Sequence, residues 1–204
     1  EKVIISRTGF TNELGWEIYF RPENKTEKLG DMILEEGSKM GMILTGTPSF
    51  RGRRIEAGLL SAGQDFTNNT NPFTVGLGRF VDLNKDDFIG KKALINSDKK
   101  CRSWGLRVVD GIAKKGRTLK INNELIGSVT SSTWSPYQVC GVGIVLLDNY
   151  EIGPESVVDV ECTDGKIHKA EICTLPMYDQ KGEIVRGLNT KIPKKPEPWR
   201  GIKN

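Results

Sequence analysis

Val139-Cys140-Gly141-Val142-Gly143-Ile144-Val145-Leu146-Leu147 is an almost unbroken apolar run with two glycines inside it. An apolar run this short, rich in β-branched residues, reads as a strand. Glycine offers a strand no side chain to pack, so two of them at alternate positions mark a tight bend or a close strand approach at a barrel corner. Upstream, residues 118–121 and 124–131 flank Asn122-Asn123, a hairpin turn pair. Downstream, residues 157–162 and 166–172 flank Asp164-Gly165, a second hairpin. Residues 104–109 alternate apolar and polar. Evenly spaced short strands joined by such turns predict a small antiparallel β-barrel over residues 101–178.

Residues 1–96 have a mixed α+β texture. Short strands are expected at 3–6 and 16–20, around a turn at 8–15. Leu29, Met32, Ile33 and Met40 recur at helical spacing, which predicts a helix over 26–39. Thr47-Pro48 reads as an N-cap followed by proline at the first helical position. That helix is expected to reach about Ala62 and to bury Phe50, Ile55, Leu59 and Ala62. Gly52 and Gly58 each disfavour a helix interior by about 1 kcal/mol relative to alanine, so Gly58 suggests close packing against a neighbour. Residues 64–77 are polar and irregular, 91–96 form a short helix, and the charged segment 97–100 is the expected domain boundary. The 179–204 segment is basic and proline-rich and reads as an extended tail, 192–199 above all.

The chain has 204 residues, 37% of them hydrophobic and 27% charged, with a net charge of +4. The excess of positive charge gathers at Arg51, Arg53 and Arg54, at Lys99, Lys100 and Arg102, at Lys114, Lys115 and Arg117, and in the tail. No aromatics interleave these clusters, which argues against nucleic acid and suits an anionic small molecule. The four cysteines are far apart and His168 is the single histidine, so no zinc set is expected. Cys140 and Cys162 lie in apolar strand patterns and read as buried thiols. No run of 18 apolar residues occurs, so no membrane span is expected and the cytoplasm is the default compartment.

Glu17 sits inside the apolar stretch Trp16 to Phe20, seven residues after Phe10. A carboxylate there is costly to bury unless it finds donors. A flat heterocycle with two adjacent N–H groups supplies them, and Phe10 offers a face for the ring. The alternative is a glutamate on the solvated face of an alternating strand.

Arg7-Thr8-Gly9-Phe10-Thr11-Asn12-Glu13-Leu14-Gly15-Trp16-Glu17-Ile18 resembles the signature of the folate-dependent aminomethyltransferase family, the glycine cleavage T-protein. Arg54-Ile55-Glu56-Ala57-Gly58-Leu59 resembles a helix of the same family. Asn71-Pro72-Phe73, Gly76-Leu77-Gly78-Arg79-Phe80-Val81-Asp82-Leu83 and Asp87-Phe88-Ile89-Gly90-Lys91-Lys92-Ala93-Leu94 are similar to the branch holding tetrahydrofolate-dependent demethylases and the folate domains of sarcosine and dimethylglycine dehydrogenases. The resemblance spans roughly residues 1–178. It implies the end of an α+β folate domain followed by a six-stranded barrel, with an N-terminal half of the same protein as its missing partner. It implies transfer of a one-carbon unit from a small-molecule donor onto N5 of tetrahydrofolate.

The resemblance also implies site residues. Glu17 takes the pterin edge, and Phe10 stands where the family usually has Tyr or Trp. The family's folate-contacting arginine corresponds to Phe50; Arg51 is next to it, turned by about 100° on a helix. Arg51 reads either as a folate contact or as a salt-bridged surface arginine. Asn71 and Phe73 border the donor or form a plain turn with a core phenylalanine. Tyr137 faces the folate domain or lies on a surface hairpin. Arg54 and Glu56 read as structural. The reacting carboxylate of the family lies outside this sequence, so no catalytic base is assigned; Asp65 is a weak candidate and otherwise a solvated loop residue. Two other readings stand beside the enzyme: a folate-binding module without chemistry, whose Lys-Gly-Cys-Tyr-x-Gly-Gln segment is not found here, and a basic nucleic-acid binder.

Overall fold

In the computed structural model, residues 2–21, 26–191 and 196–202 are described. The first part holds a two-stranded antiparallel ribbon, β1 (Ile4–Ser6) and β2 (Glu17–Tyr19), with Ser6 opposite Glu17. Helices α1 (Thr26–Lys39), α2 (Thr47–Glu56) and α3 (Lys91–Asn96) follow. The second part is a closed antiparallel barrel of β3 (Ser103–Val108), β4 (Gly116–Ile121), β5 (Glu124–Ser135), β6 (Cys140–Leu147), β7 (Val157–Glu161) and β8 (Ile167–Cys173). Its strand order is β3-β6-β5-β4-β7-β8. The expected α+β class and six-stranded barrel are both present.

The barrel explains the apolar run at β6, because both of its faces are covered. Val145 and Leu147 point into the barrel core with Leu106, Val108, Leu119 and Ile172. Val142 and Ile144 point outward and pack with Ile55 of α2, Cys140, Cys173 and Met177. Strands buried on both faces lose the polar alternation. The β4–β5 turn is tight because Asn122 (φ 49°) and Asn123 (φ 69°) both adopt left-handed backbone, as a two-residue hairpin turn requires. All four cysteines are free, and three are buried. Burial pushes the Cys140 and Cys162 thiols up to about 11 and that of Cys173 to about 12.

Helix α2 stops at Glu56, not Ala62. Gly58, at φ +69°, is the left-handed residue that ends it. Its N–H donates to Ile55 O and the Leu59 N–H to Arg54 O, which is the paired closure of a Schellman motif. The expected close packing holds as well, since a Cβ on Gly58 would lie 2.7 Å from the Leu175 Cβ. Of the four residues expected to be buried, Ile55 is; Leu59 is half-buried, Ala62 is exposed, and Phe50 is 49% exposed. Gly46, not Thr47, is the N-cap, and no side chain caps the first turn.

The C-terminal segment differs from an extended tail. Asp179 accepts from the Glu183 and Ile184 N–H groups, which coils 179–188 into turns. Glu197 N–H donates to Tyr137 O and Trp199 N–H to Gln138 O, laying the end of the chain along the β5–β6 connection. Trp199 packs on the cluster around Ile55. Part of the expected 192–199 stretch, 192–195, lies outside the described residues. No described helix is long and apolar enough to cross a membrane.

Candidate functional site

Thr47, Phe50, Arg51 and Arg54 stand at i, i+3, i+4 and i+7 on α2, so they share one face. That face, with Phe10 from the β1–β2 turn and Thr45, Gly46 and Gln64, lines a cavity of about 480 Å³. The adjacent Phe50 and Arg51 both reach it because it spans the i+3 and i+4 rows. Arg51 is exposed and makes no ion pair among the described residues, so the salt-bridged alternative is not what forms. The first turn of α2, which no side chain caps, opens on the same cavity; Pro48 has no N–H and the Ser49 N–H donates to Gly46 O, so the positive end of the helix dipole is what this terminus offers. Two aromatic walls and a cationic end suit a flat ring that carries an anionic extension.

Glu17 does not line this cavity. It lies on β2, solvent-exposed, between the exposed Trp16 and the half-buried Ile18. The described residues therefore do not create the desolvated setting expected from its apolar neighbours. Its Oε2 accepts from Thr8 Oγ1 and, at 2.8 Å, from Tyr19 Oη. These bonds, Thr8 foremost, hold the carboxyl below its usual value. Oε1 stays open to an incoming donor. The Thr8 hydroxyl also lies 3.2 Å from Ser6 Oγ, so it has a second acceptor if a ligand displaces it.

Tyr137 does face the first part of the chain. It borders a separate cavity of about 310 Å³ with Glu13, Leu14, Arg53, Tyr178, Ile184 and residues 189–191. Asn71 lines a third, of about 750 Å³, between the 66–77 loop and α3. Its Oδ1 accepts the Thr74 N–H at 3.0 Å, so it also shapes the turn. Phe73 lies outside that lining; it packs on Gly78, with Lys99 Nζ 5.3 Å from its ring. Of the six nominated residues, four are divided among three cavities, Glu17 stands on an open strand and Phe73 lines none of these cavities; only Phe10 and Arg51 share one.

Asp65 is not a solvated loop residue. It is 1% exposed, and four donors fill its carboxylate. Arg54 Nη1 and the Ser61 N–H reach Oδ2 at 2.8 Å, and Thr130 and Ser131 hydroxyls reach Oδ1 at 2.6 Å. A carboxylate with every acceptor site taken is a clamp between α2 and β5, not a base. Glu56 is also buried and accepts from Ser135 Oγ and Arg53. The structural reading of Arg54 and Glu56 agrees with these contacts. The cluster of Glu13, Arg53, Tyr137 and Tyr178 had no signal in the sequence beyond an Arg–Glu pair three apart on α2.

Residues 1–85 match the family described as GCVT N-terminal domain, and residues 102–179 match the glycine cleavage T-protein C-terminal barrel domain. The chain is 35% identical over 182 residues to an aminomethyltransferase of Anoxybacillus flavithermus, covering 87% of this chain and 50% of that protein. It is 37% identical over 147 residues to one of Halothermothrix orenii, covering 70% of this chain and 41% of that protein. Its fold superposes on the crystal structure of glycine cleavage system aminomethyltransferase T from Bartonella henselae with a TM-score of 0.75 at 27% identity, over 86% of this chain and 50% of that one. The chain therefore spans about half the length of the relatives it matches.

Proposed function

Since the chain belongs to the glycine cleavage T-protein family, we propose that it is the tetrahydrofolate-holding and barrel portion of a one-carbon transferase that moves an aminomethyl group onto tetrahydrofolate. The observation that carries this reading is a cavity of about 480 Å³ lined by Phe10, Phe50 and Arg51, with Phe10 on the turn that leads into the strand presenting the Glu17 carboxylate. Both lie within residues 1–85, which match the GCVT N-terminal domain.

In this reading Glu17 accepts the paired N–H groups of the pterin edge, a role that requires two acceptor oxygens and so a carboxylate instead of an amide. Phe10 and Phe50 give the ring apolar faces. Arg51 and the α2 N-terminus attract the anionic glutamate end. Holding the acceptor fixed in this way supplies the positional part of catalysis. The donor side, with Asn71 and Phe73 at its border and Tyr137 beyond, is completed by the half of the relatives that this chain does not span. Ile4, Ile5, Met40, Ile43 and Leu44 are all exposed, and we assign them to contact with that half. Phe50 in place of arginine, together with Asn71-Pro72-Phe73, would suit a methyl-removing relative; the name shared by the relatives above favours the aminomethyl donor.

Glu17→Gln in the intact protein is expected to weaken tetrahydrofolate binding at least about tenfold, as loss of a charge-assisted contact does. The melting temperature should not move, because Glu17 is exposed. Tryptophan-fluorescence titration reads the affinity through Trp16. Equal affinity in the two proteins would remove Glu17 from the pterin site and the main support for the proposal.

A further inference from the structure

Arg53 follows Arg51 and Gly52 on α2, yet it turns away from the cavity lined by Phe10, Phe50 and Arg51. Its Nη2 donates to Glu13 Oε1 and its Nη1 to Glu56 Oε2. Its guanidinium carbon lies 4.3 Å from the centre of the Tyr178 ring and 5.8 Å from that of Tyr137. Tyr178 Oη donates to Thr11 O at 2.8 Å and lies 3.0 Å from Glu13 Oε1. Glu56, at the far side of Arg53, is anchored to β5 through the Ser135 hydroxyl. One cation therefore joins four elements: the 8–15 turn, α2, the β5–β6 connection and the segment after β8.

The 8–15 turn carries Phe10 and leads through Trp16 into Glu17. Between them, Thr11 and Glu13 are held by Tyr178 and Arg53. Among the described residues this region is also tied to the segment after β8 by a 3.3 Å bond from Arg7 to Val185 O and by the packing of Leu14 beside Gly187. Without a cation between them, the Glu13 and Glu56 carboxylates would face each other across a partly buried gap.

We infer that Arg53 is a positioning residue that fixes the 8–15 turn on α2 and the barrel, and thereby sets Phe10 and Glu17 for tetrahydrofolate. The inference rests on the folate reading above. Arg53 touches no substrate; it acts through Glu13 and the turn. A planar guanidinium can bridge two carboxylates and stack on a ring at once, whereas a lysine ammonium is a point charge that cannot.

The test uses the intact protein with Arg53→Lys, Arg53→Met and Glu13→Gln. Glu13→Gln is the safest variant, because it leaves the part-buried Arg53–Glu56 pair in place. Amide hydrogen exchange at residues 10–15 is expected to speed up about tenfold or more in Glu13→Gln and Arg53→Lys, as local opening becomes easier. The KM for tetrahydrofolate should rise by about tenfold while kcat stays within about twofold, the mark of lost acceptor positioning. Unchanged exchange in the turn would overturn the inference outright. Faster exchange with unchanged KM would overturn its link to folate. Wild-type protein that binds no tetrahydrofolate, with Glu17→Gln making no difference, would instead defeat the underlying reading, and the exchange data would still decide whether Arg53 orders the turn.

Discussion

Asp65→Ala is expected to lower folding stability by about 3–5 kcal/mol, because breaking a buried ion pair leaves the other charge unpaired. Arg54 has 8% side-chain exposure and would lose its carboxylate while staying enclosed. The Ser131 hydroxyl keeps one contact with Arg54 Nη2 at 2.8 Å, which does not neutralise it. Ser131 and the Ser61 N–H would lose their acceptor in the same step, whereas the Thr130 hydroxyl keeps Ile144 O at 3.0 Å. For a chain of this size, the loss corresponds to roughly 10 °C in melting temperature. Urea denaturation of both proteins measures it. The companion variant, Arg54→Met with Asp65→Ala, should be more stable than Asp65→Ala alone, because no buried charge is then left without a partner. By contrast, breaking the exposed Lys39–Glu36 pair should change stability by no more than about 0.5 kcal/mol. A loss below about 1 kcal/mol for Asp65→Ala would mean that water reaches this clamp.

The same clamp shows why some features are legible in a sequence and others are not. The barrel could be read because its signals are local. Asn122-Asn123 names its own turn, and the β6 glycines announce close approach within a single strand. The helix end was also written locally, since Gly58 is a standard C-terminal residue for a helix. Leu59 and Ala62 continue the apolar spacing past it, which is why the spacing alone predicts a longer helix. In the structure that spacing is incidental, and the left-handed backbone at Gly58 decides.

The polar clusters have no such local mark. Asp65 lies in a polar stretch that reads as a loop, and a loop aspartate is ordinarily solvated. Its donors come from Arg54 on α2 and from Thr130 and Ser131 on β5, a strand some 65 residues later in the chain. Arg53 is equally hidden, for its partners Glu13 and Tyr178 sit near opposite ends of the described chain. The family resemblance nominates Phe10, Glu17 and Arg51 one by one. It could not indicate that Phe10 and Arg51 share a cavity while Glu17 stands on an open strand, because that depends on how the β1–β2 turn sits against α2.

Gly141→Ala is expected to be the most damaging single-methyl change in the chain, with a loss above about 4 kcal/mol or failure to fold, as for other severe overpacking against fixed atoms. Gly141 faces the barrel interior at one end of β6, paired with Val108 and Trp134 on its two neighbouring strands. A Cβ there would fall on the Gly111 carbonyl oxygen, with the Val108 Cβ 3.1 Å away. The obstacle is backbone, so no rotamer change relieves it. Gly143, two residues on and on the same face, would bring its Cβ to 2.8 Å from Ser131 O. That is a milder conflict, and it falls beside the irregular register between Val129 and Ser131, where β5 has some room to shift. Gly153 has nothing within 4 Å and no left-handed backbone, so alanine there should be neutral or slightly stabilising through the unfolded chain. The three variants should therefore rank Gly141, Gly143, Gly153 from worst to harmless in urea denaturation. A Gly141→Ala protein as stable as Gly153→Ala would show that β6 does not make the close approach on which closure of this barrel depends.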